Sequence, residues 1–148
     1  MKKNLNIVNR KASYDYEFIK GHIVGMSLLG SEVKAIRNGS INLQDSYCII
    51  DNGELLLKNA HITTSMQGSM ELYDPTRIRK LLHHKKEIKK LQSELETKGT
   101  TIVPYRIFSN EKNILKLEIY LARGKKTYDK SKAIKERDID RDIKRNEL

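Results

Sequence analysis

From Leu115 onward aliphatic residues hold every second position, Leu115, Leu117, Ile119 and Leu121, with Lys116, Glu118 and Tyr120 between them. A strand gathers such a set on one face, because successive side chains point to opposite sides of a sheet. One dry face and one polar face call for antiparallel partners and a core on one side only. The chain offers several. Tyr14, Tyr16 and Phe18 alternate with Asp15, Glu17 and Ile19, and a second extended piece covers residues 22–28. Residues 45–50 and 54–58 flank Asp51-Asn52-Gly53, where the Asn-Gly pair tolerates the positive φ angles of a tight hairpin turn. Residues 101–108 form a further strand, which Pro104 places at an edge or a bulge, and residues 110–113 turn it back.

Helical signals are fewer. Residues 30–39 read as one short helix, capped by Ser31 and stopped near Gly39, with Val33 and Ile36 inward and Lys34 and Arg37 outward. Asp74-Pro75 opens a helical region in which Ile78, Leu81, Leu82, Ile88, Leu91 and Leu95 recur at helical spacing, broken at His83-His84 and ended by Gly99. Residues 63–70 form a loop by composition. Five or six short strands with a helical insertion predict a small antiparallel barrel with helices at its side. Closure removes sheet edges, and the oligonucleotide-binding (OB) barrel is the familiar form that takes nucleic acid.

Charge narrows the partner. The net charge is +10 and the pI about 9.6, which points to polyanions, nucleic acid first and an acidic membrane surface second. Between Arg77 and Lys90 stand seven cations against Glu87 alone, where a solvated face ordinarily mixes signs. No run approaches the roughly 18 apolar residues of a spanning helix, and the first residues lack the apolar core of a secretion signal. The single cysteine, Cys48, excludes an internal disulfide and lies in an apolar run as a buried structural thiol. A cytoplasmic protein is expected.

From Arg123 to the end, ten bases face six acids, leaving +4, and the aliphatics are too few to pack a core. By composition this segment is disordered alone. On a helix, Lys130, Arg137, Arg141, Lys144 and Arg145 fall on one stripe with Ile139 and Ile143 opposite, so an anionic partner can supply the ordering free energy that water does not.

Four separated blocks resemble one family, the bacterial tmRNA-binding protein small protein B of trans-translation. They are Asn9-Arg10-Lys11-Ala12; residues 30–39 continuing to Asn42-Leu43-Gln44-Asp45-Ser46-Tyr47; residues 74–82; and residues 121–130 with Ile134-Lys135-Glu136-Arg137. Their order and spacing hold from about Asn6 to Arg137. The resemblance implies a mainly β fold, an OB-like antiparallel barrel with about three short helices over residues 1–122. It implies a basic tail over residues 123–148, disordered when free and helical on the ribosome. Carried onto matching positions, Asn9, Arg10, Lys11, Glu32, Lys34, Arg37, Arg79, Lys80 and Leu82 meet the tRNA-like part of tmRNA. Gly124, Lys125, Lys126, Tyr128, Asp129, Lys130, Lys135, Arg137, Arg141 and Arg145 read small-subunit RNA at the empty decoding centre and mRNA channel.

The residues themselves support parts of this. Folded RNA is gripped through phosphates, 2′-hydroxyls and shape, with stacking on unpaired bases. Lys34, Arg37, Arg79 and Lys80 suit phosphate; Tyr14, Tyr16 and Tyr128 are either stacking or packing residues. Glu32 in a basic surface orients cationic side chains or accepts from base amino groups, orientation ranking first. The chain also departs from the family pattern. Ile23 stands where many relatives have an acid, Ser131 where an arginine is common, and Ile139 near a common tryptophan position.

Catalysis is not expected. His22, His61, His83 and His84 form no recognisable ligand set. His84-Lys85-Lys86-Glu87-Ile88 resembles half of an inverted zinc-hydrolase motif without its final histidine, and His61 reads as a satisfied barrel residue. No metal or cofactor is expected, and a monomer bound to tmRNA, away from any membrane, is. The competing expectation is a general single-strand binder of the same barrel class, against which stands a basic helix and tail in place of an aromatic-rich groove.

Overall fold

The computed structural model describes residues 5–64 and 73–124. Nine strands and three helices succeed one another there: β1 (Asn6–Val8), α1 (Arg10–Asp15), β2 (Tyr16–Met26), α2 (Gly30–Arg37), β3 (Ile41–Asn42), β4 (Tyr47–Asp51), β5 (Glu54–Lys58), β6 (His61–Ile62), β7 (Arg79–Leu82), α3 (Lys85–Glu94), β8 (Thr100–Ser109) and β9 (Leu115–Gly124). The fold is mainly β. In the large sheet β8 pairs with β4 on one side and β9 on the other, so the order β8-β4-β5-β7-β2-β9 returns on itself, and β1 adds to β8. All pairings are antiparallel, including the small β3–β6 pair.

Local signals explain the best-formed parts. Asn52 and Gly53 have φ of 54° and 77°, and the β4–β5 hairpin pairs Asp51 with Glu54 around them. Along β9, Leu115, Leu117, Ile119 and Leu121 are all buried. Pro104 lies beside a register shift on the β9 side of β8 and between the stretches that pair with β4 and β1, where a missing N–H costs no ladder bond. One core joins Ile36 of α2 and Leu91 of α3 to Leu55, Leu57, Leu81, Ile102, Ile107, Leu117 and Ile119. A smaller cluster under α1 joins Ala12, Val103 and Ala122, with Phe18 stacked on Tyr120 at 4.2 Å. Gly21 sits opposite that tyrosine, and a Cβ there would stand 2.7 Å from the ring.

Several expectations change. Tyr14 and Asp15 belong to α1 instead of a strand, and β2 is one continuous strand with an irregularity between Phe18 and Lys20. The N-cap of α2 is Leu29, not Ser31; its N–H donates to Glu32 Oε1 at 3.0 Å. Gly39, at φ 81°, ends that helix as expected. The helix expected from Asp74 is a turn and then a strand. Asp74 accepts from the Thr76 N–H and the Arg77 N–H, closing a turn, and β7 runs from Arg79 to Leu82 before α3 begins. Ile78, Leu81 and Leu82 fit helical spacing, but β7 alternates buried Arg79 and Leu81 with exposed Lys80 and Leu82. An interior arginine hides that period from a reading that sends charges outward. His61 lies exposed on β6, its Nδ1 3.4 Å from the Thr63 hydroxyl. Arg123 and Gly124, expected in the tail, are the last rungs of β9, opposite Thr100 and Tyr16. Residues 65–72, most of the expected loop, and residues 125–148 lie outside the described residues.

A candidate nucleic-acid interface

The motif around Glu32 folds inward. Glu32 and Arg79 are both 0% exposed. Arg79 donates from Nη2 to Glu32 Oε2 at 2.7 Å and from Nη1 to the Ala60 carbonyl at 2.7 Å, and Nη2 also reaches the Pro75 carbonyl. Arg77 grips the same carboxylate in a fork, Nη2 to Oε1 at 2.6 Å and Nε to Oε2 at 2.9 Å. The Tyr73 hydroxyl stands 3.0 Å from Glu32 Oε2. Burial alone raises a carboxyl pKa, yet hydrogen bonds from Arg77, the Leu29 N–H and Arg79 outweigh it and hold Glu32 at about 2. One carboxylate thus ties α2 to β7 and to the turn before it.

Around this network the remaining cations face out. Lys34 and Arg37 share the exposed side of α2; Arg37 is steadied by Asn113, Nη2 to its carbonyl at 2.6 Å. Lys80 and Leu82 leave β7 on its outer face. With Lys85, Lys89 and Gln92 of α3 they line a groove of about 640 Å³. Leu82, 51% exposed, stands opposite Gly25 of β2 in the sheet, two residues from Ile23, itself 55% exposed. The neighbouring strand sets Glu118 opposite Ile23, but Arg106 and the Tyr120 hydroxyl hold that carboxylate. Lys80 meets Glu54 at 3.3 Å and Lys11 meets Asp45 at 3.8 Å, both on the surface. Such exposed pairs are worth about 0–1 kcal/mol, so neither carboxylate holds its lysine firmly.

Asn9 is buried and its side-chain amide donates to the Leu43 and Pro104 carbonyls, each at 3.1 Å. It clips the start of α1 to the body and presents Arg10 and Lys11 on the surface. Of the nine expected RNA-facing residues, six are exposed and three, Asn9, Glu32 and Arg79, are interior. The tail residues Lys125, Lys126, Tyr128, Asp129, Lys130, Lys135, Arg137, Arg141 and Arg145 lie outside the described residues. Burial pushes the Cys48 thiol up, in keeping with a structural role. Sequence reading missed one grouping. His22 of β2 converges with His83 and Glu87, and the i, i+4 spacing of the last two was the available signal. Among the described residues no helix is long and apolar enough to cross a membrane.

Comparison with known proteins places the whole chain in one family. The family model described as SmpB protein covers residues 6–147. The SsrA-binding protein of Cytophaga hutchinsonii is 46% identical over 143 residues, 97% of this chain and 94% of that protein. That of Phocaeicola vulgatus is 47% identical over 141 residues, 95% and 94% of the two chains. A solved structure described as "tmRNA-SmpB: a journey to the center of the bacterial ribosome" superposes with a TM-score of 0.68 at 42% identity, over 84% of this chain and 87% of the other. This chain belongs to the SmpB protein family.

Proposed function

We propose that this protein binds the tRNA-like domain of tmRNA, carries it to stalled ribosomes in the cytoplasm, and serves trans-translation as an RNA-binding protein without a catalytic step. Its ring of strands is read as an OB-like barrel that takes the place of an anticodon arm. Arg10, Lys11, Lys34, Arg37, Lys80 and Leu82 are the contact residues; Asn9, Glu32 and Arg79 are positioning residues that act through them. The segment after Gly124 enters the vacant decoding centre and mRNA channel, takes helical form there, and reports that no message lies downstream.

The observation that carries this reading is the sorting of charge. A buried Glu32–Arg79 pair locks α2 to β7, while Lys34, Arg37 and Lys80 on the same two elements stay exposed. A fixed spacing of cations suits a folded RNA, whose phosphates are themselves fixed in space. The rival, a general single-strand binder, needs open aromatic platforms. Phe18, Tyr105 and Tyr120 instead pack on one another, and the exposed Tyr14 and Tyr47 stand on separate elements, α1 and β4. Competition binding separates the two. At equal salt the tRNA-like domain should displace unstructured RNA of the same length, and equal affinity for both would favour the rival.

A further inference from the structure

His22, His83 and Glu87 come from the middle of β2, from the junction after β7 and from the first turn of α3, yet their ligand atoms all lie within 4.8 Å of one another. His22 Nδ1 is 3.0 Å from His83 Nε2 and 3.9 Å from Glu87 Oε1. We propose that these three side chains form a divalent transition-metal site, of the zinc class, that pins α3 to the sheet.

The ligand chemistry selects the class. Two imidazoles and one carboxylate suit zinc and its first-row neighbours, whereas calcium and magnesium want oxygen alone. Zinc–nitrogen bonds of about 2.0–2.1 Å put tetrahedral ligand atoms about 3.3 Å apart, so small side-chain adjustments close the set, with solvent at the fourth position.

His22 Nε2 is buried with no partner, and so is Glu94 Oε1. Metal at Nδ1 puts a proton on Nε2, and a ligating histidine ordinarily donates that proton to a carboxylate. Glu94 is close enough for its charge to act on His22. The site borders the groove of Lys80, Lys85 and Lys89, so the ion would set the angle at which α3 presents its lysines.

The test is titration of chelator-treated full-length protein with Zn²⁺ by calorimetry, and with Co²⁺ by visible absorption. One ion per chain is expected, with tetrahedral Co²⁺ bands and a rise in melting temperature. Glu87→Gln, on a half-exposed helix position, and His83→Ala should each weaken binding by more than the roughly 10–100-fold typical of losing even an outer-shell partner, while His61→Ala leaves it unchanged. Circular dichroism confirms that each variant is folded. Absence of stoichiometric binding by the parent protein, or unchanged affinity in both ligand variants, overturns the site.

Discussion

Replacing Glu32 with Gln keeps the shape of the side chain and removes its charge, leaving a fully buried Arg79 and a half-buried Arg77 facing a neutral amide. Two independent routes give the cost. Breaking one partner of a buried ion pair costs about 3–5 kcal/mol, because the other charge stays uncompensated. Holding a carboxyl at about 2 against an ordinary 4.5 corresponds to about 3 kcal/mol of stability in the ionised state. For a body of this size that is a drop in melting temperature of about 10–15 °C. The pH dependence has a definite sign. A folded-state pKa below the unfolded one means that the stabilisation is complete above about pH 4.5 and is lost as pH falls towards 2. Protonated Glu32 resembles glutamine, so the gap between parent and variant should shrink over that window. Urea denaturation at pH 7, 5, 4 and 3 measures it. A difference below about 1 kcal/mol at pH 7, or one that does not change with pH, would refute the reasoning. At temperatures where both are folded, tmRNA affinity should fall as α2 and β7 lose their fixed spacing.

Asn9→Ala removes two buried donors and should cost about 1–2 kcal/mol in thermal denaturation, with weaker tmRNA binding as α1 loosens. Lys34→Ala and Lys80→Ala should leave stability within about 0.5 kcal/mol and lower the slope of log affinity against log salt by about 0.7–0.9 each. An unchanged slope would place that lysine off the RNA. Cys48, buried and with its thiol pKa pushed up, should resist iodoacetamide in the folded protein and react on unfolding; mass spectrometry of the alkylated chain reads the difference.

The sequence announces whatever is settled by near neighbours. Asn52-Gly53 carries its own turn, the aliphatic positions of β9 carry their own period, and Gly39 stops α2. What it conceals depends on partners far along the chain. Glu32 and Arg79 are 47 residues apart, and nothing local to either says that a charge goes inside. That pair also disguises β7 as helix: with Arg79 assigned outward, Leu81 and Leu82 fit one helical face. His22 and His83 meet across 61 residues, and α3 brings Glu87 to them only because β7 ends where it does. The exposed cations were legible because their positions form motifs; the division of those motifs into surface and interior was not.

The division of labour between body and tail is open to one direct measurement. A chain ending at Gly124 should bind the tRNA-like domain with the affinity of the full protein, since Arg10, Lys11, Lys34, Arg37 and Lys80 all remain, yet fail to support peptide tagging on stalled ribosomes in a reconstituted system. Lost RNA binding in the shortened chain, or tagging that persists without residues 125–148, would contradict the account.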